Sequence, residues 1–307
     1  MSYNKLNVIL GWAMFVIATI VYTLTLEPTM PFWDCGEFIA SAYKLEVGHP
    51  PGAPLFMMIA RLFSAFVDPS QVPFMVNFLS ALSSGATIMF LFWSITHLAK
   101  KMAGAQAESD AGKMWAVLGS GIIGGLIYTF SDTFWFSAVE GEVYAMSSLF
   151  TALVFWAILK WESVVTKEDN ELRWIVLIAY LMGLSIGVHL LNLLAIPAIC
   201  FVYYFKKYDV SIKGMVYTFL ISLGLLTLMQ TGIIIYFVKA AAATEKLFVN
   251  GLGLGFNSGV VFYLILIASL IAFGLWYFKK KAMLAAHTLV LGIAMAIIGY
   301  TTFAVIL

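Results

Sequence analysis

The chain has 307 residues, of which 62% are hydrophobic and 11% are charged, and its formal net charge is +1. Soluble domains are about 25% charged, and a single soluble core stops growing near about 250–300 residues. The composition therefore excludes a water-soluble enzyme, a disordered chain and a disulfide scaffold, and it indicates a membrane protein with several spans.

Apolar stretches of about 17–25 residues predict the membrane-spanning helices. In chain order they lie near residues 7–26, 73–99, 115–131, 144–161, 174–190, 191–205, 215–238, 259–278 and 285–307. The run 174–205 is too long for one helix, and His189 and Asn192 at its centre predict a tight hairpin. The predicted fold is an all-α polytopic membrane protein, with a single transmembrane domain over residues 1–307.

A further apolar segment, 54–67, is shorter and contains Arg61. If it does not cross the membrane, 13 of the 17 Lys and Arg residues lie inside and 4 lie outside. If it does cross, the lysines at 100–101, 206–207 and 279–281 face outward, against the positive-inside rule. We therefore predict that 54–67 is a helix in the outer interface and that 27–72 is one external loop.

The first external loop contains the run PFWDCGEFIASAYKLEVGHPPGAPLF. Asp34 and Glu37 are three residues apart, so both carboxylates share one face if 33–46 is helical. The prolines that follow exclude a helix across the HPPG run, and Pro54 suits the first turn of the next helix. The pattern predicts a helix, a rigid elbow and a second helix, and the alternative is a solvated loop with scattered acids.

The second external segment, 131–146, reads SDTFWFSAVEGEVYAM. In a helix Glu140 and Glu142 would point about 200° apart, so only one could face a common site, but Gly141 allows a break between them. Tyr144 could donate a hydrogen bond to either carboxylate. The alternative is a helix N-terminus that favours acids through its dipole.

The third external segment, SIGVHLLNLL at 185–194, places His189 and Asn192 three residues apart. Polar side chains at membrane depth usually face a cavity or a protein partner. Asn192 could equally satisfy backbone groups at the turn, so a structural role stays open beside a catalytic one.

Two other motifs are set aside. The run GLGLGFNSG at 251–259 lacks the preceding strand and the lysine of a phosphate-binding loop, which favours an external loop. The lysines at 279–281 indicate topology and not a nucleic-acid site. The sequence has no HExxH-type metal spacing, so no cofactor is expected, and a divalent cation is left open.

The three external segments resemble the bacterial protein O-mannosyltransferase-like family, which is common in Bacteroidetes and was long catalogued as a domain of unknown function. The resemblance rests on FWDCGEFIASAYKLEVGHPPGAPLF, AVEGEVYAM and GLSIGVHLLNLLAIP. It implies a glycosyltransferase C-like helical bundle whose first external loop holds interfacial helices and the catalytic acid. It also implies a polyprenyl-phosphate sugar donor and inversion at the anomeric carbon.

Carried onto this sequence, the resemblance makes Asp34 the general base, and Glu37 and His49 match the same motif and orient the acceptor or the sugar. Position and charge suggest that Arg61 contacts the lipid phosphate. The other candidate substrate-binding residues are Glu140, Glu142, Tyr144, His189 and Asn192.

The predicted function is transfer of a sugar, mannose, to Ser or Thr of exported proteins, at the periplasmic face of a bacterial inner membrane. Membrane lipids are expected partners and nucleic acid is not. One alternative keeps the fold but modifies a lipid or a glycan; the other is a transporter or flippase, which the external acids and the lack of a repeat disfavour. Family members are usually longer, and this chain stops at Leu307 inside an apolar segment, as a fragment would.

Overall fold

The computed structural model describes residues 2–50, 52–104, 107–166 and 172–302, and the regular elements in these ranges are all helical. The all-α prediction is therefore confirmed. The helices are α1 Tyr3–Leu24, α2 Cys35–Lys44, α3 Pro54–Ser64, α4 Val72–Ala103, α5 Ala111–Thr129, α6 Asp132–Ala138, α7 Val143–Val164, α8 Arg173–Ile186, α9 Ala195–Lys207, α10 Ile212–Thr227, α11 Val238–Lys246, α12 Ser258–Lys280 and α13 Leu284–Tyr300. Short 3₁₀ segments at Pro69–Gln71 and Leu190–Leu194 precede α4 and α9, and π-helical turns at Leu228–Phe237 and Leu247–Gly251 continue α10 and α11.

Within the described ranges, seven helical stretches are long and apolar enough to cross a membrane. They are Tyr3–Leu24, Pro69–Ala103, Ala111–Thr129, Val143–Val164, Leu190–Lys207, Ile212–Gly251 and Ser258–Lys280. The chain is therefore a multi-pass membrane protein. Helices α8 and α13 were also predicted as spans but have 14 and 17 residues, so the number of about nine spans stays a prediction. Residues 303–307, at the end of the last predicted span, lie outside the described ranges.

The segment predicted to lie in the interface forms α3, an 11-residue helix with Pro54 in its first turn. At about 1.5 Å per residue, α3 is about 16 Å long, roughly half of the ~30 Å hydrocarbon thickness. Its length agrees with an interfacial position. A tight hairpin was predicted around His189 and Asn192. The helix is interrupted there, because α8 ends at Ile186 and a 3₁₀ segment starts at Leu190, and the hairpin itself stays a prediction.

The chain forms two compact units. The first contains Met1–Ser163, Leu184–Asn192 and Tyr300–Leu307, and the second contains Val164–Gly183 and Leu193–Gly299. Asp34, Glu142 and His189, one from each chemistry-bearing external segment, all belong to the first unit.

The core of the first unit is built on α1, α4 and α5. Met14, Ala18, Ile88 and Leu118 are almost fully buried where these helices meet. The crossing of α1 and α4 is close enough that a Cβ on Gly85 would overlap with Thr19 Oγ1. Small residues at helix crossings are how membrane helices pack without a hydrophobic driving force between them.

A second core lies under the first external loop, where α2 and α3 pack together and on α4. Phe38 of α2 and Phe56 and Met57 of α3 are buried there against Val76 of α4. Leu45 ends α2 in a left-handed conformation with φ of 55°. The buried face of α2 fixes the position of the residue at its start, Asp34.

Hydrogen bonds to backbone groups join the first external loop to α4 and to the other external segments. The Nδ2 group of buried Asn77, on α4, donates to the carbonyl oxygen of Glu27 at 2.6 Å. The Glu27 amide donates to the carbonyl oxygen of Val139 at 3.2 Å, and the Leu55 amide donates to that of Gly187 at 2.8 Å. The first loop is thus joined to the second and the third external segments.

Candidate active site

A cavity of about 570 Å³ lies in the first unit beside the start of α2. Its lining contains four carboxylic acid side chains, three aromatic rings and two hydroxyl groups besides that of tyrosine. The lining residues are Trp33, Asp34, Asp132, Thr133, Phe136, Ser137, Glu140, Glu142 and Tyr144. The cavity therefore joins the acids of the first and second external segments in one site.

Asp34 stands at the N-cap position of α2, and its side chain makes no capping hydrogen bond. The side chain is 59% exposed, so the carboxylate is free to meet a molecule in the cavity. The preceding residue, Trp33, has a φ of 63° and is 85% exposed. A left-handed backbone at a non-glycine residue costs about 1–3 kcal/mol and is concentrated at functional sites.

Glu37 and His49 meet across the elbow. The backbone N–H of His49 donates to Oε1 of Glu37 at 2.5 Å, and ring atom Nδ1 lies 3.1 Å from Oε2. These hydrogen bonds hold the pKa of Glu37 below its ordinary value. The other ring nitrogen, Nε2, lies 4.0 Å from Oδ2 of Asp34. One ligand-type atom from each of the three residues lies within 4.8 Å of the others, so this cluster could hold a metal ion.

The elbow that the prolines predict contains a turn between His49 and Gly52. Pro51, between them, lies outside the described residues. The amide of Gly52 donates to the carbonyl oxygen of His49 at 2.8 Å, and Gly52 has a φ of 74°. The ring of Phe38 lies 5.8 Å from the imidazole. His49 is therefore fixed by a turn, a carboxylate and an aromatic neighbour.

Glu140 and Glu142 both reach the cavity, because the segment between α6 and α7 is not helical. The Glu142 amide donates to the carbonyl oxygen of Glu140 at 2.9 Å, which closes a tight bend at Gly141. A Cβ on Gly141 would lie 2.8 Å from Oδ1 of Asn77, so glycine also permits the close contact with α4. The break that the sequence allowed is the reason that both acids serve one site.

The two glutamates are each only 6% exposed. Burial, and then the charge of Glu142, raise the pKa of Glu140 to about 7. Burial, and then the charge of Asp34, raise the pKa of Glu142. Burial and the nearby glutamates raise the pKa of the Cys35 thiol to about 12, so the thiol stays protonated and is no nucleophile at neutral pH. Glu140 can therefore both give and take a proton near neutrality.

Tyr144 lines the cavity, whereas His189 and Asn192 are not among its lining residues. The Tyr144 ring lies 5.3 Å from the His189 ring, and among the described residues no hydrogen bond joins Tyr144 to either glutamate. Nδ1 of His189 accepts the backbone N–H of Leu191 at 3.2 Å. Asn192 is fully buried and its Oδ1 accepts the hydroxyl of Thr151 at 2.9 Å. These contacts support the structural alternative for His189 and Asn192.

Arg61 is not brought to the cavity. Its guanidinium lies 4.9 Å from the centre of the Tyr43 ring, near the end of α2 opposite to Asp34. Nine residues of helix separate Tyr43 from Asp34, which is about 13 Å along the axis. The Nη1 group of Arg61 is buried and has no hydrogen-bond partner among the described residues.

Sequence reasoning missed several residues of the site. Asp132, Thr133 and Ser137 line the cavity from α6 but were not predicted as site residues. Thr133 and Ser137 are four residues apart, as are Asp132 and Phe136, and this helical spacing is the signal that could have identified them. Asn77, which anchors the first loop, could have been noticed as a lone amide in a long apolar span.

The glycine-rich run at 251–259 does not bind phosphate through its free amides, because a carboxylate of the chain occupies them. Glu245 accepts hydrogen bonds from the amides of Asn257, Gly259 and Val260 at 2.6–2.9 Å. These amides lie at the start of α12, the position where an anion would bind.

Comparison with known proteins identifies the same region. Residues 34–212 match the family described as "Protein O-mannosyl-transferase TMEM260 N-terminal domain". The mouse protein named Protein O-mannosyl-transferase TMEM260 is 28% identical over 180 residues, which are 59% of this chain and 23% of the mouse protein. A protein of the same name from Dictyostelium discoideum is 26% identical over 190 residues, 58% of this chain and 21% of its own length. No solved structure matches the chain.

The chain thus spans less than a quarter of the length of these two relatives. The family match begins at Asp34 and includes the elbow, both cavity glutamates and the segment with His189 and Asn192. It covers more than half of the chain. The chain therefore belongs to the protein O-mannosyl-transferase TMEM260 N-terminal domain family.

Proposed function

We propose that this chain transfers mannose from a polyprenyl-phosphate donor to Ser or Thr hydroxyls of exported proteins, with inversion at the anomeric carbon. The observation that carries the proposal is the Asp34 carboxylate, which is exposed at an acidic cavity inside the region matched by the family. The two relatives compared above are named protein O-mannosyl-transferases.

The shape and chemistry of the cavity support a sugar as the transferred group. Ligand pockets are typically about 300–1,000 Å³, and the cavity of about 570 Å³ lies in this range. Carboxylates accept hydrogen bonds, which the hydroxyl groups of a sugar donate. Glu140 and Glu142 supply such acceptors, and the rings of Trp33 and Phe136 supply apolar surface for the carbon–hydrogen faces of the sugar.

Asp34 is the proposed general base. It takes the proton from the acceptor hydroxyl while that oxygen forms its bond to the anomeric carbon. The bond from the anomeric carbon to the phosphate oxygen breaks, and the lipid phosphate leaves with the electron pair. Attack on the face opposite to the phosphate produces inversion. Glu37 and His49 orient Asp34 and the acceptor from the elbow.

The phosphate role suggested for Arg61 is not carried into this proposal. The phosphate is bonded to the reacting carbon and must lie near Asp34, whereas Arg61 lies at the far end of α2. No Lys or Arg is among the described residues that line the cavity.

The proposed location is the inner membrane of a bacterium, with the site facing the periplasm. Its support is the charge distribution, which places 13 of 17 basic residues on the other side of the membrane when 27–72 is external. Polyprenyl-phosphate sugars would then reach the cavity from the outer leaflet, and exported proteins would reach it from the aqueous side.

A transfer assay with two acceptors tests the proposal. The chain is reconstituted in lipid vesicles with radiolabelled polyprenyl-phosphate mannose and either a Ser- and Thr-rich exported protein or a lipid extract. Label in the protein, removed by treatment that cleaves O-linked sugars, supports the proposal. Label only in the lipid fraction would overturn the protein acceptor, and label in neither would overturn the transferase activity of this chain.

A further inference from the structure

The Asp34–Glu37–His49 cluster has the arrangement of a metal site. The backbone and ring Nδ1 of His49 both face the carboxylate of Glu37, so Nδ1 carries the proton that this carboxylate accepts. The lone pair of the imidazole is then on Nε2, the atom 4.0 Å from Oδ2 of Asp34. A carboxylate behind a histidine, which fixes its tautomer and direction, is the usual support of a metal-binding imidazole.

A small movement of the Asp34 side chain would bring Asp34 Oδ2 and His49 Nε2 to the separation of two ligands of one cation. First-row divalent ions bind nitrogen and oxygen at about 2.0–2.2 Å, which puts adjacent octahedral ligands about 3 Å apart. Nε2 of His49 and Oδ2 of Asp34 would have to approach by about 1 Å. The Asp34 side chain, 59% exposed and without a capping bond, can rotate by that amount, whereas His49 is held in place.

A second, independent observation comes from the cavity beside the cluster. Glu142 lines this cavity together with Asp34 and is only 6% exposed, yet its Oε2 atom has no hydrogen-bond partner among the described residues. A buried carboxylate oxygen without a partner is costly. The lining supplies four acids and, in the described part of the chain, no Lys or Arg. The cavity is therefore short of positive charge.

We propose that Asp34 Oδ2 and His49 Nε2 bind one Mn²⁺ ion, with Glu37 as the supporting carboxylate and Glu142 as a further negative charge in the adjoining cavity. Oxygen-rich sites with open positions favour Mg²⁺, Ca²⁺ and Mn²⁺, and an imidazole ligand favours a transition ion within that group. The other oxygen of Asp34 stays available to the acceptor hydroxyl. The open positions of the ion accept a phosphate oxygen of the donor.

The role of the ion toward the donor rests on the proposed function, but its binding does not. A cation at this position supplies the positive charge that no described lining residue supplies. It would stabilise the phosphate as it leaves. Binding of the metal alone can therefore be tested without any transfer assay.

The test is a titration of the purified 307-residue chain in detergent with MnCl₂ alone, in which free Mn²⁺ is measured by its electron paramagnetic resonance signal. We expect one site in the wild type. His49→Ala and Asp34→Ala should each weaken it at least about tenfold, and Glu37→Gln by about 10–100-fold. Matched controls are His287→Ala, from the second unit, and Glu46→Gln, an exposed acid of the same loop; both should bind as the wild type does.

Absence of Mn²⁺ binding by the wild type up to about 1 mM, the weak end of biological cation sites, would overturn the inference. Binding that is unchanged in both His49→Ala and Asp34→Ala would overturn it as well. We expect Asp34→Ala to fold, because this exposed side chain supports no packing. Loss of Mn²⁺ binding in that variant is therefore not explained by misfolding. Mn²⁺ binding without mannose transfer would remove the proposed function and keep the site, and chelator-resistant transfer without Mn²⁺ binding would do the reverse.

Discussion

Both carboxylate oxygens of Glu37 are engaged by one residue, His49, twelve positions later: Oε1 accepts its backbone amide at 2.5 Å, and Oε2 lies 3.1 Å from Nδ1 of its ring. This pair joins the helix that starts at Asp34 to the rigid elbow. The elbow therefore depends on the charge of Glu37.

The first prediction concerns acid pH. The pKa of Glu37 in the folded chain is lowered below 4.5, its value in the unfolded chain. The stability that the charged Glu37 gives to the fold is therefore complete above pH 4.5 and is lost as pH falls through the pKa of the folded state. We expect Glu37→Gln to lower the thermal unfolding temperature above about pH 5 and to match the wild type at the most acid values. A pH series of unfolding curves measures this. Glu46→Gln is the control, and an equal effect in it would refute a specific role for the Glu37–His49 pair.

The second prediction concerns Glu140, whose shift has the opposite sign. The pKa of Glu140 is about 7 in the folded chain and 4.5 in the unfolded chain, so the folded state holds the proton more tightly. The free energy of unfolding therefore falls as pH rises from 4.5 to 7. Glu140→Gln should be more stable than the wild type above pH 7, by on the order of 3 kcal/mol, and equal to it at low pH. Unfolding curves at pH 5 and pH 8 measure the difference. A constant difference at both values would contradict the buried, raised pKa.

The third prediction tests the bend between the two cavity glutamates. A Cβ at position 141 would meet Oδ1 of Asn77 at 2.8 Å and Cγ1 of Val76 at 3.1 Å. Gly141→Ala should therefore destabilise the chain by about 1–3 kcal/mol and lower transfer, because it displaces both acids. Gly119→Ala is the matched control, since nothing lies within 4 Å of a Cβ there. Equal unfolding temperatures for the two variants would contradict the close packing.

The fourth prediction concerns the anchor of the first loop. Nδ2 of Asn77 donates to the carbonyl oxygens of Glu27 and Thr29 at 2.6 and 3.0 Å. Asn77→Leu removes both hydrogen bonds and should cost about 1–3 kcal/mol. It should also speed proteolytic cleavage in residues 25–33, which limited proteolysis with mass spectrometry detects. Cleavage at the wild-type rate would show that the loop is held by other contacts.

The positions of the helices, and the breaks at Gly141 and His189, could be predicted from the sequence because they depend on local chemistry. Apolar length located the predicted spans, and the position of Pro54 identified the start of α3. Gly141 likewise marked the break before α7. Local signals of this kind are independent of how the helices later pack.

The membership of the cavity could not be predicted, because it depends on contacts between distant segments. Asp132 reaches the cavity because α6 packs against α4 and α5, and nothing in the sequence around Asp132 shows this. Arg61 was placed by charge alone, and the structure puts it over Tyr43 instead. The pairing of Glu37 with His49 spans twelve residues and depends on the exact shape of the proline turn.

The central claim is that Asp34 removes the proton from the acceptor hydroxyl, and the most direct measurement is the rate of mannose transfer by Asp34→Asn beside Glu46→Gln. Both side chains are exposed and the two substitutions change the side-chain size little, so we expect both variants to fold. The unfolding temperature of each variant checks this. We predict that Asp34→Asn loses about 10²–10⁴-fold in rate while Glu46→Gln keeps wild-type activity. Wild-type transfer by a folded Asp34→Asn variant would contradict the account.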